Sequence, residues 1–144
     1  MQETLQKAKE TMTTTLKHKD SISPTQEDYL EKILDLLTLN GVVRVTDLAQ
    51  IMNISKPSVN KAINNLKEHG LVEQERYSFI TLTEKGQCVA KNVRKRHDIL
   101  KELLLLIGVD EEKAEEEACE IEHTVSVNTV EKLNDFLKKI EPLL

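Results

Sequence analysis

The chain has 144 residues, a formal net charge of −5, no Trp, 3% aromatic residues, four Gly and three Pro. That length suits one ordinary domain, or a small domain plus a short second module, and it is enough to bury a core without staples. So few Gly and Pro exclude a many-turned β protein; helix should dominate, around a core of Leu, Ile, Val and Ala.

Residues 1–20 are polar, with a weak helical period at Leu5, Ala8, Met12 and Leu16 and three consecutive threonines that oppose helix. An N-terminal extension over 1–22, frayed or loosely docked, is expected. Ser23-Pro24-Thr25-Gln26 then opens a helix: Ser23 caps, Pro24 fits the first helical position and Gln26 reaches back. Tyr29, Leu30, Ile33, Leu36 and Leu37 form its buried stripe, and Asn40-Gly41 stops it. Thr46 is expected to cap a short helix, "DLAQIM", with a tight turn at Asn53. Ser55 caps a longer one, "KPSVNKAINNLKEH", in which Val59, Ala62, Ile63 and Leu66 share a face and which Gly70 ends. Short helix, turn and longer helix have the spacing of a helix-turn-helix. "LVEQERYSFITLT" alternates like two short strands about a turn near Arg76-Tyr77-Ser78, which would make a winged helix.

Thr83 should cap a long helix from Glu84 to about Ile107, stopped by Gly108. Cys88 falls in its packed stripe. "DEEKAEEEACEIEHTVS" and "VNTVEKLNDFLKKI" read as two further helices before Pro142. The fold expected is mainly α: a winged helix-turn-helix over 23–90, then a helical module over 91–144, the two sharing one continuous helix.

Charge is segregated. Residues 56–101 hold 10 Lys+Arg against 5 Asp+Glu, and residues 109–144 hold 4 against 11. One half can face an anion while the other gathers cations. The second helix of the helix-turn-helix exposes Lys56, Ser58, Asn60, Lys61, Asn64 and Lys67, which suit phosphates and base edges in a major groove. Arg76 and Tyr77 would stand at the wing tip, within reach of the backbone or a minor groove. A plain solvated amphipathic helix would show the same pattern.

In the acidic half, "EEEACEIEH" at 115–123 sets Cys119, Glu122 and His123 at i, i+3 and i+4, on one helical face. Asp28 and Glu31 stand at i and i+3 in the first helix, and His97 lies in the long helix. Singly each is bland: acids favour a helix start, and a histidine can be a satisfied core residue. Together they offer carboxylate, imidazole and thiolate from three helices. Glu116, Glu117 and Glu120 fall mostly to the outer face, while the side taken by Glu115 stays open.

From about residue 22 to 140 the chain resembles the diphtheria-toxin-repressor family of metal-dependent transcriptional regulators, which includes iron-dependent repressors and manganese transport regulators. The resemblance is carried by "QEDYLEKIL", "RVTDLAQIMNISKPSVNKAINNLKEHGLV", "ITLTEKGQ", "RHDILKELL" and "GVDEEKAEEEACEIEH", in that order. It implies a homodimer that binds double-stranded operator DNA when a divalent metal is bound. It also implies the ligands Asp28, His97, Cys119, Glu122 and His123, with Glu31 matching a ligand of the manganese type. Ser55, Pro57, Ser58 and Lys61 fall where the family meets DNA. In the manganese type a Glu stands at the place of Cys119, and in the best-known iron type a Met stands at the place of Asp28, so the site is a hybrid. Lys101 replaces a carboxylate that completes a second metal position in those relatives, which argues against a two-metal site of the iron type. Many relatives carry a further SH3-like domain, for which a chain ending at Leu144 leaves no room.

Carboxylates with imidazoles suit Mn(II) and Fe(II), whereas a thiolate tilts away from Mn(II). Fe(II) is therefore expected slightly ahead of Mn(II), with Zn(II) able to bind in vitro. A repressor controlling iron or manganese homeostasis genes is the function expected. The alternative is a redox- or ligand-sensing winged-helix regulator using Cys119 or Cys88. A protein–protein adaptor would predict no response of stability to metal. A hydrolase is disfavoured by the lack of His-Glu-x-x-His, a Gly-rich phosphate loop and an evident Ser-His-Asp set. Two cysteines suit a reducing compartment, no apolar run has membrane-spanning length, and no signal-peptide core is evident, so a cytoplasmic protein is expected.

Overall fold

The computed structural model describes residues 2–3, 21–75 and 79–144. The periodicity noted in residues 4–20 and the wing-tip residues Arg76, Tyr77 and Ser78 lie outside the described residues. Helix α1 spans Pro24–Asn40 and opens with a reciprocal cap: the Gln26 amide donates to Ser23 Oγ and the Ser23 amide to Gln26 Oε1. Gly41, at φ +74°, supplies the left-handed residue that ends it.

Helix α2 (Val45–Met52) starts one residue before the expected cap at Thr46. The cap position belongs to Arg44, whose amide donates to Asp47 Oδ2 at 2.9 Å. The carboxylate at the third helical position closes the turn on Arg44, and Thr46 falls inside the first turn. Asn53 takes the left-handed conformation (φ 54°) that turns the chain into α3 (Lys56–Glu68), capped by Ser55. Strands β1 (Val72–Gln74) and β2 (Ile80–Leu82) pair antiparallel, with Val72 opposite Leu82.

Helix α4 (Glu84–Leu106), capped by Thr83, is the continuous rod that both halves share. Helix α5 (Glu111–Ile121) is shorter than the sequence pattern suggested. Glu122 keeps helical dihedrals and its amide still donates to Ala118, so the i, i+3, i+4 spacing of Cys119, Glu122 and His123 survives the helix end. Ser126 caps α6 (Val127–Ile140), which runs into a 3-10 turn at Glu141–Leu143.

Among the described residues there are two hydrophobic cores. The larger joins Leu30 and Ile33 of α1 to Leu48, Val59, Ile63, Leu66, Leu71, Ile80 and Ala90. The smaller joins Ile99 of α4 to Val130 and Leu137 of α6. Each fully buried Leu or Ile contributes about 1.5–3 kcal/mol. Helix α4 approaches the first core through Gly86, where an added Cβ would lie 1.9 Å from the Leu71 carbonyl oxygen. Cys88, expected in the packed stripe of α4, is exposed: the stripe runs through Gly86, Ala90, Val93 and His97 instead. Gly86 makes the closest approach, so the face is turned toward it and away from Cys88. The polar cluster described next sits where α1, α4 and α5 meet, between the two cores.

Candidate metal centre and DNA-facing surface

Six residues were expected to meet, and they do. Helix α1 brings Asp28 and Glu31, α4 brings His97, and α5 with its C-terminal turn brings Cys119, Glu122 and His123. His97 Nδ1 lies 2.9 Å from Glu122 Oε2 and 3.6 Å from Cys119 Sγ. His123 Nε2 lies 2.8 Å from Asp28 Oδ1 and 3.4 Å from Glu122 Oε1. Among the described residues, three sets have donor atoms mutually within 4.8 Å: Asp28–Glu122–His123, Glu31–His97–Glu122 and His97–Glu115–Cys119. Glu122 belongs to the first two and His97 to the last two, so the sets form one connected cluster.

Burial makes this arrangement costly without a counter-ion. Glu122 is fully buried, and the His97 and Glu31 residues are 1% and 3% exposed. Among the described residues, His97 Nε2, Glu122 Oε1 and His123 Nδ1 are buried with no hydrogen-bond partner. A Glu115 oxygen stands 3.0 Å from His97 Nε2, near enough for charge but not aligned as a hydrogen bond. Buried polar atoms are seldom left so; the His97 Nε2 edge faces Glu115 and the His123 Nδ1 edge faces Glu27, while their other nitrogens meet Glu122. The residues present therefore fit a divalent ion with oxygen, nitrogen and sulfur ligands.

The ionisations agree. The hydrogen bond to Glu122 pushes His97 up to about 9, and burial pushes Glu122 up to about 7. Burial and the nearby Glu122, Glu31 and Glu115 carboxylates push the Cys119 thiol up to about 11, so it is a poor nucleophile at neutral pH. That is the opposite of what oxidation sensing at Cys119 requires.

Several partners escaped the sequence reading. Glu115, whose side was left open, faces inward and bonds Lys101 Nζ at 2.9 Å. Arg94 Nη1 lies 3.4 Å from Glu31 Oε1 and 3.8 Å from Asp35 Oδ2. Arg96 forms a part-buried ion pair with Glu27, joining α4 to the start of α1. The run Arg94-Lys95-Arg96 beside His97 was the available signal.

At the other end of the molecule, Ser55, Lys56, Pro57, Ser58, Asn60 and Lys61 are all exposed at the start of α3. The Ser58 amide donates to Ser55 Oγ, which fixes the helix N-terminus. Arg44, Thr46, Lys56, Asn60 and Gln74 line a shallow concavity between α2, α3 and β1. Arg44, whose guanidinium lies 5.0 Å from the Phe79 ring centre, is a cation of this surface that the sequence did not single out. The two expected wing residues, Arg76 and Tyr77, lie outside the described residues.

Residues 21–79 match the N-terminal DNA binding domain of the iron dependent repressors, and residues 83–142 match their metal binding and dimerisation domain. The chain belongs to the diphtheria-toxin-repressor family of metal-dependent transcriptional regulators. It is 34% identical over 119 residues to the HTH-type transcriptional regulator MntR of Lysinibacillus sphaericus, covering 83% of this chain and 86% of that one. An uncharacterised HTH-type transcriptional regulator of Methanocaldococcus jannaschii is 38% identical over 122 residues, covering 83% of this chain and 98% of that one. The manganese regulator SloR has a similar structure, with a TM-score of 0.71 and 31% identity over 78% of this chain. The chain spans only 53% of SloR's length. The chain thus joins a DNA-binding domain of this family to its metal binding and dimerisation domain, and α1, which lies in the first, touches the second through Asp28 and His123. No helix among the described residues is long and apolar enough to cross a membrane.

Proposed function

We propose that this regulator is a cytoplasmic, homodimeric repressor whose operator binding is switched on by one class of ligand, Mn(II) or Fe(II), held by Asp28, Glu31, His97, Cys119, Glu122 and His123. The observation that carries this reading is the buried cluster at the α1–α4–α5 seam, with three orphaned donor atoms. A bound divalent cation would neutralise the carboxylates and link α1 to the other two helices. Asp28 and Glu31 belong to the same helix that packs Leu30 and Ile33 into the DNA-binding core, so any shift of α1 carries α3 with it. His97, Cys119, Glu122 and His123 are the fixed side, anchored on α4 and the α5 turn. Like charges on Glu31 and Glu122 oppose docking of α1 until a cation balances them.

In a homodimer the two copies of α3 would reach successive major grooves about 34 Å apart when α1 is docked. Exposed Leu105, Ile107, Val127 and Phe136 in the C-terminal half supply apolar surface for such a dimer. Moving from mostly free to mostly bound operator needs about 5 kcal/mol of differential affinity, within reach of several metal–ligand bonds. Ser55, Lys56, Pro57, Ser58, Asn60 and Lys61 would meet the operator, with Arg76 and Tyr77 at the wing.

Cys119 sets the order of metals: as thiolate it favours Fe(II) over Mn(II), with Zn(II) competing in vitro. The regulated genes would be those of iron or manganese homeostasis. The test is an anaerobic titration of the metal-free protein with Fe(II), Mn(II) and Zn(II), followed by binding to a labelled operator. Metal-independent operator binding, or none with any of the three ions, rejects the reading.

A further inference from the structure

The first turn of α1 reaches three elements through three consecutive side chains. Gln26 Nε2 donates to Asn65 Oδ1 of α3 at 2.8 Å, Glu27 pairs with Arg96 of α4, and Asp28 Oδ1 lies 2.8 Å from His123 Nε2 in the turn after α5. Successive helical residues point about 100° apart, so one turn can face three neighbours. Glu27 and Asp28 meet the metal-binding half. Gln26 alone of the three bonds the DNA-binding half, and among the described residues its contact with Asn65 is the one side-chain hydrogen bond between α1 and α3.

Both ends of the Gln26 amide are committed. Its Oε1 accepts the Ser23 amide at 2.9 Å, which decides the orientation of the group and leaves Nε2 to face Asn65. Asn65 stands at i+7 from Ser58 and i+4 from Lys61, so it continues the side of α3 that carries two of the proposed operator contacts. Gln26, Ser58, Lys61 and Asn65 line one cleft of about 370 Å³ between α1 and α3. Leu30 and Ile33 also hold α1 to α3 through the larger core, but apolar contact is non-directional and lets one helix slide or roll on another. A hydrogen bond fixes distance and angle.

Resting on the metal-binding reading above, we propose that Gln26 is a positioning residue: through Asn65 it makes the operator-facing side of α3 follow α1 when α1 is seated on the metal cluster. Gln26 binds neither metal nor DNA in this role. It converts the placement of Asp28, two residues on, into a fixed angle of Ser58 and Lys61 toward the operator. The core keeps α3 packed without this bond, but no longer ties its rotation to that of α1.

The test separates the bond from the charge. A labelled duplex selected from a random pool by the Mn(II)-loaded wild type is the probe, and its affinity for the full-length chain is measured at saturating Mn(II) and again in chelator. Gln26→Glu keeps the oxygen that accepts the Ser23 amide, as a capping box allows, but has nothing to donate to Asn65. Asn65→Asp adds the same charge to the same cleft and keeps the acceptor. The gain in affinity on adding Mn(II) is expected to match the wild type in Asn65→Asp. In Gln26→Glu and in Asn65→Ala it should fall about two- to tenfold, the worth of one neutral hydrogen bond. A merely structural bond would lower affinity equally with and without Mn(II) and leave the gain intact; that outcome would overturn the proposal, as would an equal loss of gain in Asn65→Asp. No gain in the wild type would overturn the metal reading beneath it and this proposal with it, a result distinct from a wild-type gain that every variant keeps.

Discussion

His123 Nε2 and Asp28 Oδ1 are 2.8 Å apart although 95 residues separate them in the chain. This contact joins the first helix of the DNA-binding half to the turn that ends α5. It is a direct link between α1, which packs into the DNA-binding core, and the turn that carries Glu122 and His123.

Asp28→Ala and Glu122→Ala should each abolish metal-dependent operator binding while leaving a folded protein. The loss of metal affinity should exceed the roughly 10–100-fold that an outer partner of a metal ligand is worth. A gel shift with and without added metal decides: if the response survives either change, the α1 link is not the switch.

Thermal stability without metal should fall as pH rises. Glu122 goes from 4.5 to about 7 and His97 from 6.5 to about 9 on folding, so the folded chain binds more protons than the unfolded one in both windows. Stability that the protons confer is full below the unfolded values and is lost as pH climbs through the folded ones. The decline should span about pH 5 to 9 and flatten in Glu122→Gln. Metal uptake displaces the same protons, so its affinity should rise over that range. At about a hundredfold excess over Kd, metal should add about 3 kcal/mol and raise the melting temperature by several degrees. Differential scanning fluorimetry across pH, with and without metal, checks both trends.

Iodoacetamide at neutral pH should label Cys88 first and leave Cys119 largely unmodified. Cys88 is exposed, whereas Cys119 is half-buried with a thiol pushed up to about 11. Peptide mass mapping reads the order directly. Preferential labelling of Cys119 would revive redox sensing there.

Gly86→Ala should destabilise the protein, although a helix-interior Gly→Ala normally stabilises. The change favours the helix by up to about 1 kcal/mol, but the new Cβ would press on the Leu71 carbonyl, which also accepts the Thr83 amide at 3.1 Å. Overpacking of this kind costs about 1–3 kcal/mol. A urea melt showing equal or greater stability would mean that α4 can shift away from Leu71 without loss.

Much of the fold follows from local rules that a sequence states openly. Ser23, Ser55, Thr83 and Ser126 are caps because each precedes a helical period and can reach an amide three residues on. Gly41, Gly70 and Gly108 adopt the positive φ that ends a helix, as does Asn53. The same logic misassigned Thr46, because Asp47 competed for the same turn. It also misplaced Cys88, because helical periodicity fixes which residues share a face but not how that face is rotated against a neighbour. The close approach at Gly86 decided the rotation.

For the cluster, sequence by itself determined the chemical types of the donors and, through spacing within a helix, that Cys119, Glu122 and His123 share a side. Their union with Asp28, Glu31 and His97 was first suggested by donor type alone and then implied as a ligand set by the resemblance, since no local rule links residues on different helices. Only the tertiary structure decided how buried these groups are, which donor atoms are orphaned, and that Glu115 turns inward. It alone revealed the three cation–carboxylate pairs, because an ion pair between helices depends on their crossing and not on the spacing along either one. The physical reason is range: caps, turns and periodicity are settled within a few residues, whereas desolvation and charge balance are set by everything packed around a group.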